Sequence, residues 1–167
     1  MGADEALPAF DDIIGPLISR GYALAVTMLN DRTSAEDAVQ EASIKAWRKL
    51  PGLRDRSAIE PWFLGIVANQ CRSIRRTSWR SVLTLPELRH QSSSQDRRVD
   101  AIDLDRALDR LSPKDRLPLC LHFYMDMTFD QVGVVMGISM TAARSRIYRA
   151  LDRLRSDLHS KDALDHV

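Results

Sequence analysis

The sequence contains few of the residues that stabilise small secreted or turn-rich folds. Its 167 residues include only two cysteines, Cys71 and Cys120, which are too few for a disulfide framework. This cysteine content is typical of a protein from a reducing compartment. Glycine and proline number seven each, and such a low content favours helices over a turn-rich β fold.

Long apolar runs are also missing. The longest one, near Tyr22 to Leu29, is shorter than the roughly 20 residues that a transmembrane helix needs. The first residues, MGADEALPAF, lack the basic start and apolar stretch of a signal peptide. We therefore expect a soluble, cytoplasmic protein without membrane insertion.

Motifs of catalysis and metal binding are missing too. The four histidines have no metal-site spacing, and Cys120 and His122 would point to different sides of a helix. The sequence has no phosphate-binding loop, nucleophile elbow or paired acidic motif. We therefore expect neither enzyme activity nor a cofactor, and we expect no bound metal.

Charge is nearly balanced overall, at +1, but it is unevenly distributed along the chain. Residues 1–41 carry 8 acidic and 2 basic residues, whereas residues 42–90 carry 3 acidic and 10 basic ones. Residues 91–135 carry 8 acidic and 6 basic residues, and residues 136–167 carry 4 and 6. Two separated basic blocks indicate two nucleic-acid contacts, with other surfaces facing a different partner.

The stretch 128–158 predicts two helices joined by a tight turn. Thr128 and Gln131 have capping-box spacing, so a helix should begin near Phe129, and Gly137 is suited to end it. Ser139 can cap the next helix, in which apolar residues recur every three or four positions: Ala143, Ile147, Ala150, Leu151 and Leu154. This arrangement is typical of a DNA-binding helix-turn-helix, and a helical hairpin with a solvated arginine face is the alternative.

The first half of the chain predicts helices as well. One should cover residues 8–29 and be kinked or divided at Gly15-Pro16, and the next should be capped by Thr33 or Ser34. The inward residues of that second helix are Ala38, Val39, Ala42, Ala46, Trp47 and Leu50. Its polar ridge, which by itself is typical of solvated surface, comprises Asp37, Gln40, Glu41, Lys45 and Arg48.

A third helix should follow the polar loop from Gly52 to Glu60, with Ser57 and Glu60 as its capping box. One side of this helix is apolar. The other carries Asn69, Arg72, Arg76 and Trp79 at spacings of three and four. Guanidinium groups bind phosphates, while amides and aromatic faces can receive bases, so this side suits single-stranded or unwound nucleic acid. A basic solvated face is the alternative.

Residues 80–100 lose periodicity and include a Gln/Ser-rich run, so they predict a flexible linker between two domains, 1–79 and 101–167. A short amphipathic helix should cover residues 102–111, and another should begin at Ser112-Pro113. Pro118 lies inside that next helix, where it would cost on the order of 3 kcal/mol, so we expect a distorted helix there. The predicted fold class is all-α, with two small helical domains.

Three segments in this order resemble the extracytoplasmic-function, or group IV, sigma factors of bacterial RNA polymerase, which have only the second and fourth sigma regions. SAEDAVQEASIKAWRKL is similar to the polymerase-clamp helix of that family, and PWFLGIVANQCRSIRR is similar to its promoter-melting helix. LDRLSPKDRLPLCLHFYMDMTFDQVGVVMGISMTAARSRIYRALDRLR is similar to its upstream-box reader. The resemblance covers nearly the whole chain.

The resemblance implies a factor that binds core RNA polymerase and directs promoter recognition and melting. Docking on the β′ clamp coiled coil would involve Asp37, Gln40 and Glu41, and the β flap is a second implied contact. The −10 element would be engaged by Asn69, Arg72, Arg75, Arg76 and Trp79. The loop from Gly52 to Glu60 would hold a flipped base. The −35 recognition residues would be Thr141, Arg144, Ser145, Arg146 and Arg149. An anti-sigma factor is also implied.

The sequence departs from the family pattern at two places. Members commonly have Gly at the position of Met127, and Thr-Val at the position of Ala142-Ala143, so a threonine hydroxyl that could contact a phosphate is missing here. The alternative to a sigma factor is a conventional helix-turn-helix regulator. Such a regulator would bind duplex DNA on its own, usually as a dimer.

Overall fold

The computed structural model describes residues 10–82, 108 and 110–162, with side chains described up to residues 77 and 157 in the two long stretches. All regular elements in these ranges are helical, and the chain divides into two compact units after Thr77. The predicted all-α fold with two helical domains is therefore confirmed. Most of the predicted linker and of the predicted helix over 102–111 lies outside the described residues.

Unit 1 consists of three helices: α1 (Phe10–Leu29), α2 (Arg32–Lys49) and α3 (Ile59–Val82). Pro16 lies within α1 and does not divide it. The helices pack closely where side chains are small. A Cβ atom added to Gly21 of α1 would lie 3.1 Å from the Phe63 ring, so the absence of a side chain there brings α1 against α3. Phe63, Ile14 and Leu24 are among the fully buried residues of this core.

The start of α2 differs from the prediction. Asp31, and neither Thr33 nor Ser34, caps the helix: its carboxylate accepts a hydrogen bond from the Ser34 backbone N–H at 2.8 Å. The buried residues of α2 are almost all alanine, namely Ala35, Ala38, Val39, Ala42 and Ala46. Trp47 is rotated by about 100° from Ala46 around the helix. It is 64% exposed, so the prediction that Trp47 points inward is wrong.

Two short 3₁₀ turns, Leu50–Gly52 and Arg56–Ala58, connect α2 to α3. Asp55 caps the second turn and accepts hydrogen bonds from the backbone N–H and the hydroxyl of Ser57, at 2.9 and 2.6 Å. The predicted pairing of Ser57 with Glu60 is therefore wrong. Glu60 instead forms an ion pair with Arg20 of α1, because the first turn of α3 lies beside that helix.

Unit 2 contains α4 (Pro113–Leu119), a π-helical turn (Cys120–Tyr124), α5 (Phe129–Met136) and α6 (Met140–Asp162). The predicted distortion near Pro118 is confirmed, because the α-helical pattern ends at Leu119 and widens into the π-helical turn. Pro118 is fully buried and has no N–H to donate to the preceding turn. The wider turn closes with a bond from the Met125 N–H to the Cys120 carbonyl at 3.0 Å.

The connection between α5 and α6 follows the sequence signals. Thr128 and Gln131 form both bonds of a capping box, and Gly137 ends α5 in the left-handed region at φ 67°. The Ser139 hydroxyl accepts from the Ala142 N–H at 3.2 Å and caps α6. A Cβ atom on Gly133 would lie 2.8 Å from the Ile138 carbonyl oxygen, so only glycine allows the turn to fold back so tightly on α5.

The core of unit 2 includes the apolar positions that the periodicity predicted for α6, of which Ala143, Ile147 and Ala150 are buried. From α5 it buries Val132, Val135 and Met136. Leu151 and Leu154 are half-buried. Burying one side of α6 leaves its opposite side facing outward along several turns.

Candidate nucleic-acid and protein interfaces

The outward side of α6 carries a concentrated set of polar residues. We call it the α6 polar face; its five members line one shallow, open depression: Thr141, Arg144, Ser145, Tyr148 and Arg149. All five are exposed. A helix that follows a tight turn and presents hydroxyl and guanidinium groups can enter a major groove, where arginine binds guanine O6 and N7.

Arg146, which the sequence placed with the other −35 candidates, has a different environment. It is half-buried and lines a second depression together with residues of α4 and α6: Ser112, Lys114, Asp115, Arg149 and Arg153. Asp115 accepts from the Ser112 hydroxyl at 2.8 Å and forms an ion pair with Arg153, which ties α4 to α6. The structure therefore separates Arg146 from Arg144 and places it beside a second cationic surface.

Tyr148 was missing from the sequence-based set of site residues. The Arg144 guanidinium carbon lies 5.7 Å from the centroid of the Tyr148 ring, and Phe129 of α5 lies 6.3 Å from that ring between centroids. The signal available in the sequence was the position of Tyr148 one turn after Arg144, off the buried stripe. The contact with Phe129 joins two helices and was not available from periodicity.

The outward side of α3 carries the second group of candidates. Asn69, Arg75 and Arg76 are exposed, and Arg72 is half-buried and donates to the Asn69 amide oxygen at 2.6 Å. We call these four residues the α3 basic face. Trp79 lies within α3, but its side chain is outside the described residues. Phosphates and unstacked bases are the groups that such a surface suits.

Cys71 lies on the buried side of α3 and is fully buried. Burial raises its thiol pKa from 9.0 to about 12, and the positive charge of Arg72 opposes this shift only in part. The thiol is therefore protonated at neutral pH, which suits a packing role and makes it a poor nucleophile.

The loop between α2 and α3 is exposed from Arg54 to Ser57. The side-chain and backbone hydrogen bonds from Ser57 lower the pKa of the Asp55 carboxyl group. Asp55 therefore keeps its negative charge and its capping bonds between two arginines, Arg54 and Arg56. These bonds give this exposed segment a defined backbone.

The outward side of α2 combines acidic, polar and apolar residues. Asp37, Gln40 and Glu41 are exposed, as the sequence predicted for its polar ridge. Ile44 and Trp47 share this side and are 40% and 64% exposed. We call these five residues the α2 outer face. Lys45 donates to the Gln70 amide of α3 at 2.9 Å, so that ridge residue holds α2 against α3.

Within the described ranges, no helix has both the length and the apolar character required to cross a membrane. In the same ranges, no group of three or more His, Cys, Asp or Glu residues could hold a metal ion. The three candidate surfaces described above are exposed helix faces, of which one is acidic with apolar residues and two are basic.

These features define a helical protein with a helix-turn-helix unit and a second, separate basic helix. Comparison with known families identifies both halves: residues 13–81 match sigma-70 region 2, and residues 107–156 match sigma-70 region 4. The two matches together span more than two thirds of the chain. The chain belongs to the sigma-70 family of RNA polymerase sigma factors.

Several curated relatives are extracytoplasmic-function or other RNA polymerase sigma factors. The chain is 27% identical to the ECF RNA polymerase sigma factor SigE of Mycolicibacterium smegmatis over 172 residues, which cover 96% of the chain and 66% of that protein. It therefore spans just under two thirds of that relative. Against SigV of Bacillus subtilis it is 25% identical over 142 residues, covering 84% of the chain and 86% of SigV.

Solved structures give the same result. The sigma factor RpoE of Bartonella quintana, solved in complex with the anti-sigma factor NepR, superimposes with a TM-score of 0.73 at 25% identity. This match covers 90% of the chain and 96% of RpoE. CnrH, at 22% identity and a TM-score of 0.65, shares the fold. The chain is thus a sigma factor of the extracytoplasmic-function type and not a regulator that acts alone.

Proposed function

We propose that this chain is a group IV, non-catalytic initiation factor of the cytoplasm, in which each unit has a separate task. Unit 1 would dock on core RNA polymerase and open the −10 element, and unit 2 would bind the −35 element. The observation that carries this proposal is the distribution of exposed side chains. Carboxylates and apolar residues occupy α2, whereas arginines with hydroxyl or amide partners occupy α3 and α6.

The α2 outer face is the proposed polymerase contact. Asp37, Gln40 and Glu41 would dock on the β′ clamp coiled coil, with the β flap as a second polymerase contact of the protein. The exposed Trp47 and Ile44 support a protein partner, because aromatic side chains dominate binding energy at the centre of protein interfaces. A carboxylate rim around them would favour a basic partner surface.

The α3 basic face, with Trp79 added from the resemblance, is the proposed −10 contact. Arg75 and Arg76 are exposed and would bind phosphates of the separated strands. Asn69 and Arg72 are joined by a hydrogen bond and together would contact a base. The loop from Gly52 to Glu60 would hold the flipped base. Its capped 3₁₀ turn at Asp55 supports a preformed pocket there.

The α6 polar face is the proposed −35 contact, with Thr141, Arg144, Ser145 and Arg149 in the major groove. Arg146 is assigned to a phosphate beside Lys114, because both line the depression next to α4. The domain limits implied by this division are 1–79 for region 2, 80–100 for the linker and 101–167 for region 4.

An anti-sigma factor is the proposed inhibitor of this chain. The support is the similarity to Bartonella RpoE, whose structure contains the anti-sigma factor NepR. An inhibitor that covered the α2 outer face would block polymerase docking, and one that covered the α6 polar face would block DNA binding. Measuring whether inhibitor and polymerase compete for α2 would separate these two modes.

The proposed function is tested by capture of purified core RNA polymerase on the full-length protein, followed by transcription from a genomic DNA library. Stoichiometric capture with new, specific start sites is the expected result, and the start sites would supply both promoter boxes. Failure to bind core polymerase, together with tight binding of duplex DNA by the protein alone, would contradict the proposal.

A further inference from the structure

The α6 polar face is supported by a chain of ring contacts that spans unit 2. His122 of the π-helical turn stacks on Phe129 of α5, with centroids 4.7 Å apart and an interplanar angle of 24°. Phe129 in turn lies 6.3 Å from Tyr148 of α6, and Tyr148 lies 5.7 Å from the Arg144 guanidinium carbon. The contacts therefore run from the distorted helix to an arginine on the exposed face.

The backbone fixes the position of His122, the first ring in this series of contacts. The His122 Nδ1 atom lies 2.7 Å from the Met127 carbonyl oxygen, and the His122 ring packs edge-on against Phe123 at 4.7 Å. Because a backbone carbonyl can only accept, Nδ1 must donate in this bond. The orientation of the imidazole is thereby set, and with it the position of the stacked Phe129 ring.

At the other end of these ring contacts, Tyr148 affects the orientation of one side chain, that of Arg144. An arginine on a helix surface has many rotamers, and binding is favoured when the bound rotamer is already populated. An aromatic ring attracts a guanidinium through its face, within about 6 Å. A stacked guanidinium keeps its N–H edge free for two parallel hydrogen bonds.

We propose that Tyr148 is a positioning residue for base recognition: its ring holds the face of Arg144 so that the N–H edge of Arg144 binds O6 and N7 of a guanine in the −35 element. This assignment rests on the proposed function of α6. Phe129 and His122 hold the Tyr148 ring in place. The tyrosine acts through Arg144, and its aromatic ring, not its hydroxyl, is the part that matters.

The experiment uses the holoenzyme reconstituted with full-length protein and the promoter recovered from the genomic library. Transcription is measured on this promoter and on versions with each −35 base pair replaced in turn, and the ratio gives the discrimination at each position. Arg144→Ala identifies the base pair that Arg144 reads. Tyr148→Leu removes the ring but keeps an apolar side chain, and Tyr148→Phe removes only the hydroxyl.

Tyr148→Leu should reduce discrimination about two- to fivefold at the base pair read by Arg144, and leave the other positions unchanged. Tyr148→Phe should match the unmodified protein. In the Arg144→Ala background, Tyr148→Leu should have no further effect on that base pair. Tyr124→Leu is the matched control, because Tyr124 is 76% exposed and belongs to the π-helical turn, not to α6, so its replacement should leave discrimination unchanged. Thermal unfolding of each variant checks that unit 2 remains folded.

Three results would overturn the positioning role. These are full discrimination by Tyr148→Leu, a loss in Tyr148→Phe equal to that in Tyr148→Leu, or a loss that persists unchanged without Arg144. If Arg144→Ala forms holoenzyme but alters no base preference, the guanine contact and its positioning by Tyr148 are both refuted while the sigma function stands. If no holoenzyme forms with the unmodified protein, the proposed function itself fails.

Discussion

The α2 outer face and the α6 polar face have a similar helical construction, but they carry side chains of opposite charge. In each helix, small buried residues hold one side against the core, Ala38 and Ala42 in α2 and Ala143 and Ala150 in α6. The free side of α2 presents carboxylates with Trp47, whereas that of α6 presents arginines with hydroxyl groups. A similar helical scaffold can thus serve a protein partner or DNA, and the exposed side chains decide which.

The largest expected effect concerns the aromatic residue of α2. Trp47→Ala should weaken binding to core polymerase by about 2–4 kcal/mol if Trp47 lies at the centre of the interface. The stability of unit 1 should change little, because Trp47 is 64% exposed in the free protein. A fluorescence titration of core polymerase measures the affinity. Tyr124→Ala removes an even more exposed aromatic residue of unit 2 and serves as the control. Equal losses of polymerase affinity in both variants would contradict a central place for Trp47 in the interface.

The corresponding change in α6 should act on DNA and not on polymerase. Arg144→Ala should lower use of the −35 element by about 1–3 kcal/mol and relax preference at one base pair. Arg146→Ala should weaken all promoters uniformly and reduce the salt dependence, because Arg146 lines the depression beside α4. Transcription on promoters with single base-pair replacements, at two salt concentrations, separates these outcomes. Unchanged preference at every base pair with Arg144→Ala would exclude Arg144 from the readout, and an altered preference at a single base pair with Arg146→Ala would contradict the assignment of Arg146 to a phosphate.

The tight turn between α5 and α6 can be tested without DNA. Gly133→Ala should destabilise unit 2 by about 1–3 kcal/mol, because the new Cβ atom would lie 2.8 Å from a backbone oxygen that cannot rotate away. Gly52→Ala is the control, since nothing lies within 4 Å of its added Cβ atom. Urea unfolding, recorded separately for unit 1 and unit 2, gives the free energy of unfolding of each variant relative to the unmodified protein. Equal losses of stability in the two variants would show that the turn can relax.

The burial of Cys71 should make the stability of unit 1 depend on pH. The pKa of Cys71 is about 12 in the folded protein and close to 9.0 when unfolded, so above pH 9 the unfolded chain loses a proton that the folded chain retains. Stability should then fall with rising pH through this window by up to about 1.4 kcal/mol per pH unit. Comparing the pH dependence of unfolding for the unmodified protein and Cys71→Ala isolates this contribution. Identical slopes would contradict it.

Alkylation of the folded protein gives a second test of the burial of Cys71, with Cys120 as the more exposed thiol for comparison. Cys71 is fully buried, whereas Cys120 is half-buried in the π-helical turn. Iodoacetamide at neutral pH should therefore modify Cys120 before Cys71, and mass spectrometry of peptides would identify the site. Faster modification of Cys71 would mean that α3 opens readily.

Local signals made the helix-turn-helix predictable. The capping box at Thr128 and Gln131, the left-handed Gly137 and the Ser139 cap each depend on a few neighbouring residues, and all three are present. Pro118 was also informative, because a proline in a helix interior removes one backbone hydrogen bond. Pro16 shows that this loss does not always end a helix, since α1 continues through it. The caps of unit 1 were misassigned because aspartates at 31 and 55 precede serines that are also good caps, and the sequence does not reveal which one accepts the bond.

Contacts between helices were not predictable from periodicity. Trp47 lies at the edge of the alanine stripe of α2, so its exposure depends on how the neighbouring helices are placed. The contact of Tyr148 with Phe129 joins α6 to α5, and that of His122 with Phe129 joins the π-helical turn to α5. The exposure of most residues on the candidate surfaces was predictable from periodicity, but the side chains that support or extend those surfaces required the folded chain.

The most direct test of the division between the two faces is an equilibrium titration of labelled core RNA polymerase with three proteins. The unmodified protein and Arg144→Ala should bind with the same affinity, whereas Asp37→Arg should bind much more weakly because it reverses a charge on the α2 outer face. Circular dichroism should show the same helix content for all three, since both residues are exposed. Normal binding by Asp37→Arg, or weakened binding by Arg144→Ala, would contradict the assignment of polymerase to α2 and of DNA to α6.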